Sequence, residues 1–148
     1  MCAAALASAV LAACQREVRR AGSADAPRAE GARSRLDGAD QGQWTWRYPD
    51  GTLRERGALQ DGLRVGTWTQ WWSNGAVRAQ GARVPDRATR SSPREGPWTF
   101  WHPNGQFAAR GIYQAGQREG WWEFSLDDGR LDGDQSGLYH EDARILDG

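Results

Sequence analysis

The sequence predicts an all-β fold: an elongated antiparallel meander of repeated β-hairpins in a single layer. A Trp lies seven residues before a turn glycine in four places, and these glycines are 24, 30 and 24 residues apart. Large apolar residues also alternate with polar ones after each Trp, the period of a half-buried strand. The residues that define the repeat core are Trp44, Trp68, Trp98, Trp122, Gly51, Gly75, Gly105 and Gly129.

Residues 1–13 are predicted to be a lipoprotein signal peptide. An apolar run too short to span a bilayer ends in Leu11-Ala12-Ala13 before Cys14. This segment resembles the lipobox of bacterial lipoproteins. The resemblance implies cleavage before Cys14, a lipid on its thiol and, with Gln15 next, an outer-membrane location. The alternative is an Ala-rich helix start with a chance cysteine.

Residues 14–40 are predicted to be the lipidated Cys and a flexible tether. Ala, Arg and Gly dominate there and aromatic residues are absent, so little apolar surface is available to offset the entropy of ordering. Residues 41–148 form the predicted repeat domain, with about four 24-residue repeats and a capping hairpin.

Each repeat consists of a Trp strand, a tight turn and a return strand. The turns contain Pro-Asp-Gly, Ser-Asn-Gly, Pro-Asn-Gly and Asp-Asp-Gly, where Asn or Asp bonds its own backbone and Gly takes a positive φ. Equivalent residues then lie two strands apart, about 9.5 Å, so the four Trp form a row on one face. The alternating phase continues to the residues just before each turn, Trp72, His102 and Leu126.

Two segments depart from the repeat. Residues 85–95 contain six extra residues, polar and flanked by Pro, which predict a protruding loop. Near the end of the chain, Gly137-Leu138-Tyr139 repeats the phase of Gly111-Ile112-Tyr113 with two residues added, which predicts the capping hairpin.

The repeat resembles the bacterial variant of the MORN repeat. The resemblance is clearest in the stretch Gly96-Pro-Trp98-Thr-Phe-Trp101-His-Pro-Asn104-Gly105, followed by Gly111-Ile-Tyr113 and Gly120-Trp-Trp122. It implies an elongated sheet of successive hairpins. Many bacterial members are labelled as YwqK-type antitoxins, others are envelope proteins, and MORN repeats elsewhere serve as scaffolds.

Three Trp are out of phase with the main row, and we expect them on the opposite face of the sheet: Trp71, Trp101 and Trp121. Exposed aromatic residues there stack on sugar rings or anchor a protein partner. The alternative is that the tether, the insertion or the tail covers them.

The sequence offers no catalytic residues, no cofactor motif and no metal site. His102 and His140 have no ligand-spaced partner, and the acids around Gly129 and Gly133 lack the spacing of a calcium loop. Nineteen basic residues, all Arg, balance nineteen acidic ones, so no net charge attracts nucleic acid.

The sequence therefore predicts a non-catalytic, envelope-anchored module that binds a protein partner of unknown identity and meets the membrane through the lipid on Cys14. The first alternative is a cytoplasmic YwqK-type antitoxin that neutralises a toxin by binding it. The second is a glycan- or peptidoglycan-binding module that uses the out-of-phase Trp.

Overall fold

The structure, a computed structural model, describes residues 28–33 and 39–145, and all ten strands in these ranges belong to one open antiparallel sheet. The order in the sheet is the order in the chain, so every strand pairs with its sequence neighbours. The predicted all-β meander is confirmed. The strands are β1 (Arg28–Arg33), β2 (Asp40–Arg47), β3 (Leu53–Gln60), β4 (Leu63–Trp71), β5 (Val77–Arg83), β6 (Arg94–Trp101), β7 (Phe107–Gln114), β8 (Gln117–Phe124), β9 (Gly137–His140) and β10 (Ala143–Ile145).

The hairpin turns form as their residue types require. At the first of them, the Gly51 amide donates to the carbonyl of Tyr48 at 2.9 Å, and the Asp50 carboxylate accepts from the Thr52 amide at 2.8 Å. The four turn glycines have φ between 83° and 88°, which side chains with a Cβ rarely adopt. The turn pattern therefore fixes where each return strand begins.

The core lies on one face, the inner face, which carries the Trp row. Trp44, Trp68, Trp98 and Trp122 are all buried. From the second of these onward, each ring lies flat on a glycine of the preceding return strand, since a Cβ on Gly57, Gly81 or Gly111 would come within 2.2–2.3 Å of the indole. Trp68, Trp98 and Trp122 therefore pack directly against the glycine backbone of the preceding strand.

This inner face divides into two hydrophobic clusters. The larger contains Trp98, Trp122 and Tyr113, and the smaller contains Trp44 and Trp68. An ion pair lies beside the smaller cluster. Both carboxylate oxygens of Glu55 accept hydrogen bonds from Arg64, at 2.7 and 2.8 Å. The repeats are therefore equivalent in backbone but unequal in core chemistry.

Neighbouring repeats are also joined at the turns. The Tyr48 hydroxyl donates to the carbonyl of Trp71 at 2.9 Å, and the Trp72 indole donates to the carbonyl of Trp101 at 2.9 Å. The His102 imidazole meets the carbonyl of Ser125 at 2.8 Å. Trp72 and His102 thus lie beyond the ends of β4 and β6 and do not continue the inner-face alternation, because a register shift ends it one residue earlier.

Three segments differ from expectation or extend it. Strand β1 lies inside the predicted tether, where it pairs with β2; backbone hydrogen bonds need no apolar side chains. The insertion spans residues 84–93 between β5 and β6 and folds back, with Arg87 bonded to Asp61 at 2.9 Å. At the C-terminal end, Gly137 pairs with Trp122 in β8, so β9 has the expected phase and β9–β10 form the predicted hairpin.

Candidate binding face

The outer face of the sheet, opposite the Trp row, carries a continuous polar row. Backbone pairing places seven residues side by side from β2 to β8. In strand order they are Thr45, Arg56, Thr69, Gln80, Thr99, Arg110 and Glu123. This row presents hydroxyl, amide and charged groups at the spacing of adjacent strands, about 4.8 Å.

The first groove on this face surrounds Trp121 and has a volume of about 350 Å³. The Trp121 side chain is 66% exposed, and Ile112 beside it is 53% exposed. Arg110 closes one side through an ion pair with Glu123, in which Nε and one terminal nitrogen of Arg110 donate to the same carboxylate oxygen at 3.0 and 2.7 Å. Thr99 adds a hydroxyl to the same lining. An apolar floor with a polar rim results, the usual arrangement of a recognition site.

The second groove, of about 460 Å³, lies beside Trp101 two strands away. Its lining includes Val77, Thr69 and Gln80, and the Gln80 amide donates to the Thr69 hydroxyl at 3.2 Å. Trp71 pairs with Val77 across β4 and β5 and is half-buried, but it lines neither groove. The structure therefore places Trp101 and Trp121 in grooves on the outer face and leaves Trp71 outside them.

Most of the eight repeat-core residues do not line either groove. Trp98 and Gly105 each contribute to one lining, and the other Trp of the row are packed on the inner face. Gly51, Gly75 and Gly129 lie in exposed hairpin turns. Their part is to form the sheet that positions the outer-face side chains.

The imidazole of each of the two histidines forms a hydrogen bond with a neighbouring residue. His102 bonds a backbone carbonyl, as described, and His140 meets the Glu119 carboxylate at 3.1 Å. The hydrogen bond and charge of Glu119 raise the pKa of His140 above its ordinary value. In residues 28–33 and 39–145, no group of three or more His, Cys, Asp or Glu could hold a metal ion.

The acidic residues in and just after the Gly129 turn accept hydrogen bonds from backbone amides. Asp128 accepts from the Arg130 amide at 3.0 Å, and this bond is the main cause that lowers the Asp128 pKa. Asp132 accepts from the amides of Asp134 and Gln135 at 3.1 Å. These carboxylates cap turns, which is the ordinary use of Asp at such positions.

Cys14, the predicted lipidation site, lies outside the described residues. Within the described part of the chain, no helix is long and apolar enough to cross a membrane. The lipid anchor therefore stays a prediction of the sequence.

Sequence reasoning missed a row of arginines on the inner face. Arg64, Arg94 and Arg118 stack on Trp68, Trp98 and Tyr139, with the guanidinium carbon 4.4–4.7 Å from each ring centre. The signal was present, because an Arg occurs four residues before each of the last three Trp of the row. Such stacking covers the outward side of the rings.

Residues 94–115 match the family described as MORN repeat variant. The match contains β6, its hairpin turn and β7, so a MORN repeat variant is present and the predicted resemblance is confirmed to that extent. The search of curated proteins gives no match to this chain. A MORN repeat on a repeated hairpin sheet indicates a repeat-based binding module.

Proposed function

We propose that this chain, which carries a MORN repeat variant at residues 94–115, is a non-catalytic binding module of the cell envelope. A lipid on Cys14 holds it to the membrane, and the outer face of the sheet binds a partner protein. No cofactor takes part.

The observation that carries this proposal is the exposure of Trp121. Trp121, Ile112 and Leu138 are 66%, 53% and 45% exposed, and Leu138 pairs with Trp121 across β8 and β9. Clustered apolar side chains of this size add little to the fold when they face water. Trp is among the residues enriched where binding energy concentrates in protein interfaces. The Arg110–Glu123 pair beside it supplies a polar rim.

Photocrosslinking tests the partner. A photoreactive phenylalanine analogue is placed at position 121, and a matched control is placed at Leu131, which is 63% exposed but lines neither groove. In intact cells we expect one protein, identified by mass spectrometry, to crosslink at 121 and not at 131. The same adducts at both positions, or none at 121, would refute a protein-binding outer face.

Fractionation tests the anchor. We expect the wild-type chain in the membrane fraction with an acyl label, and Cys14→Ala released or unprocessed. Both chains soluble in the cytoplasm would overturn the anchor and favour the antitoxin alternative, in which the partner is a toxin.

A glycan is the second candidate ligand, because one groove combines an exposed indole with Thr99 and a charged pair. A sugar ring stacks on an indole while its hydroxyls bond neighbouring polar groups. Isolated cell wall should then retain the wild-type chain and lose Trp121→Ala and the Trp71→Ala/Trp101→Ala double variant. Retention of Trp121→Ala equal to wild type would exclude this groove as the glycan site.

A further inference from the structure

Two guanidinium groups share one indole on the inner face. The guanidinium carbons of Arg94 and Arg83 lie 4.7 and 5.7 Å from the ring centre of Trp98. Gly81 occupies the other side of that ring, where even a Cβ would come within 2.3 Å of the indole. Both positive groups therefore lie on the outward side of Trp98.

Arg94 differs from its equivalents in the other repeats. Arg64 is neutralised by Glu55 at 2.7 Å, and Arg118 by Asp142 at 3.1 Å. Arg94 instead donates to the neutral hydroxyl of Tyr113 at 3.0 Å. In the part of the chain that the structure describes, no carboxylate forms an ion pair with Arg94.

Arg83 adds a second positive charge at a position that is apolar elsewhere. It lies two residues after Gly81, and the residues two after the equivalent glycines are Leu59, Tyr113 and Tyr139. One of its terminal nitrogens donates to the carbonyl of Ser92 at 2.6 Å. Burial, and then the nearby charges of Arg64 and Arg94, lower its pKa.

Each of these two guanidinium groups also has a hydrogen-bond donor without a partner. Among the described residues, the Nε atoms of both Arg83 and Arg94 are buried without a partner. A buried unsatisfied donor is costly, and two like charges in contact with one ring repel each other. Arg64, Arg83 and Arg94 together carry three positive charges, and Glu55 supplies one negative charge.

We propose that Arg83 and Arg94, with Arg64 at the edge, form an oxyanion site on the inner face beneath the 84–93 loop. Its ligand is a tetrahedral oxyanion of the phosphate class, either a free ion or the phosphate of a larger molecule. Guanidinium groups bind such oxygens in paired hydrogen bonds and are weakly enough hydrated to do so when half-buried. The site is independent of the outer face and of any partner there.

A phosphate titration at constant ionic strength tests the site. Thermal unfolding of the full chain is followed with sodium phosphate against sodium chloride. We expect a saturable rise in Tm and a change in Trp fluorescence for the wild type, because Trp98 lies directly under both groups. Salting-out by phosphate is not saturable and acts on every variant alike.

The decisive variant is Arg83→Leu, which introduces the residue found at the equivalent position in β3. It should fold, start with a Tm equal to or above that of the wild type in chloride, and lose the saturable response. Arg94→Gln should also lose it. The matched control is Arg118→Gln, which also stacks on an aromatic ring but has a carboxylate partner, and it should keep the response.

Two results would overturn the site: no saturable response in the wild type, or an undiminished response in Arg83→Leu. Vesicles identify the source of the oxyanion. Arg83-dependent co-sedimentation of the Cys14→Ser chain with phosphatidylglycerol vesicles, competed by free phosphate, would assign a lipid phosphate. A saturable phosphate response without co-sedimentation would assign a free ion.

Discussion

Replacement of Gly111 by Ala should disrupt the larger hydrophobic cluster, although Gly111 itself has no side chain in that cluster. The added Cβ would lie 2.2 Å from an indole carbon of Trp122, about 1.2 Å short of the 3.4 Å at which ordinary contact begins. The contacting atoms are the fused carbons of a rigid ring, so no flexible side-chain end can give way. Either the indole moves off β7 or the two strands separate.

The cost follows from what holds that indole. Its N–H donates to the carbonyl of Ile112 at 3.1 Å, and its ring meets Tyr113 edge-on at 4.9 Å between centres. A shift of about 1 Å breaks the first contact and loosens the second. Overpacking a core costs about 1–3 kcal/mol and complete loss of a buried Trp about 3–5 kcal/mol. We therefore expect Gly111→Ala to lower the free energy of unfolding by about 3 kcal/mol.

Urea unfolding of the full chain, followed by circular dichroism, measures this difference. The control is Gly133→Ala, where a Cβ meets no atom within 4 Å, and it should change stability by less than about 0.5 kcal/mol. The double variant Gly111→Ala/Trp122→Ala should lose less than the sum of its single changes, since the clash disappears with the ring. Equal stability of Gly111→Ala and Gly133→Ala would refute the proposed role of the bare backbone.

Three further changes test other contacts. Glu55→Gln leaves the half-buried guanidinium of Arg64 without its counter-charge. It should lower the free energy of unfolding by about 1–3 kcal/mol. Urea unfolding measures this loss, with the Arg64→Gln/Glu55→Gln double variant as the comparison. Asn104→Asp removes the 2.7 Å bond that the Asn104 amide donates to the next turn but keeps the oxygen that accepts from the Gln106 amide in its own turn. It should cost about 1 kcal/mol, and an unchanged urea midpoint would contradict the turn-to-turn coupling. Because Glu119 raises the pKa of His140 and His140 lowers the pKa of Glu119, their contact stabilises the last hairpin fully between about pH 4.5 and 6.5. This stabilisation is lost as pH rises through the folded pKa of His140 or falls through the folded pKa of Glu119. An NMR titration should show a lower His140 pKa in Glu119→Gln, and no change would contradict the pairing.

The backbone plan could be predicted from the sequence because local rules dictate it. Tight turns need Asn or Asp before Gly, and a sheet with one buried face needs alternation, so the positions of Gly51 and Trp68 determine the strands around them. The same logic predicted the phase of β9 from Gly137, despite the residues inserted before it.

The contacts between repeats could not be predicted in the same way. Arg94 looks like any solvated arginine in the sequence, and its position over three aromatic rings depends on strand pairing as well as local pattern. Strand β1 also escaped prediction, because it adds backbone hydrogen bonds at an edge without an apolar signature. Of the candidate site, the outer position of Trp101 and Trp121 followed from phase alone, whereas the grooves depend on neighbours two strands away.

The division of the inner face into two clusters has a mechanical consequence. In a meander, force applied to the chain before β1 acts at the sheet edge and separates the hydrogen bonds of one strand pair at a time. The smaller cluster around Trp44 and Trp68 would yield first, and the extension would pause where Trp98 and Trp122 resist. Single-molecule pulling from the N-terminal side should therefore record two ruptures, with the N-terminal repeats releasing length while the C-terminal repeats stay folded.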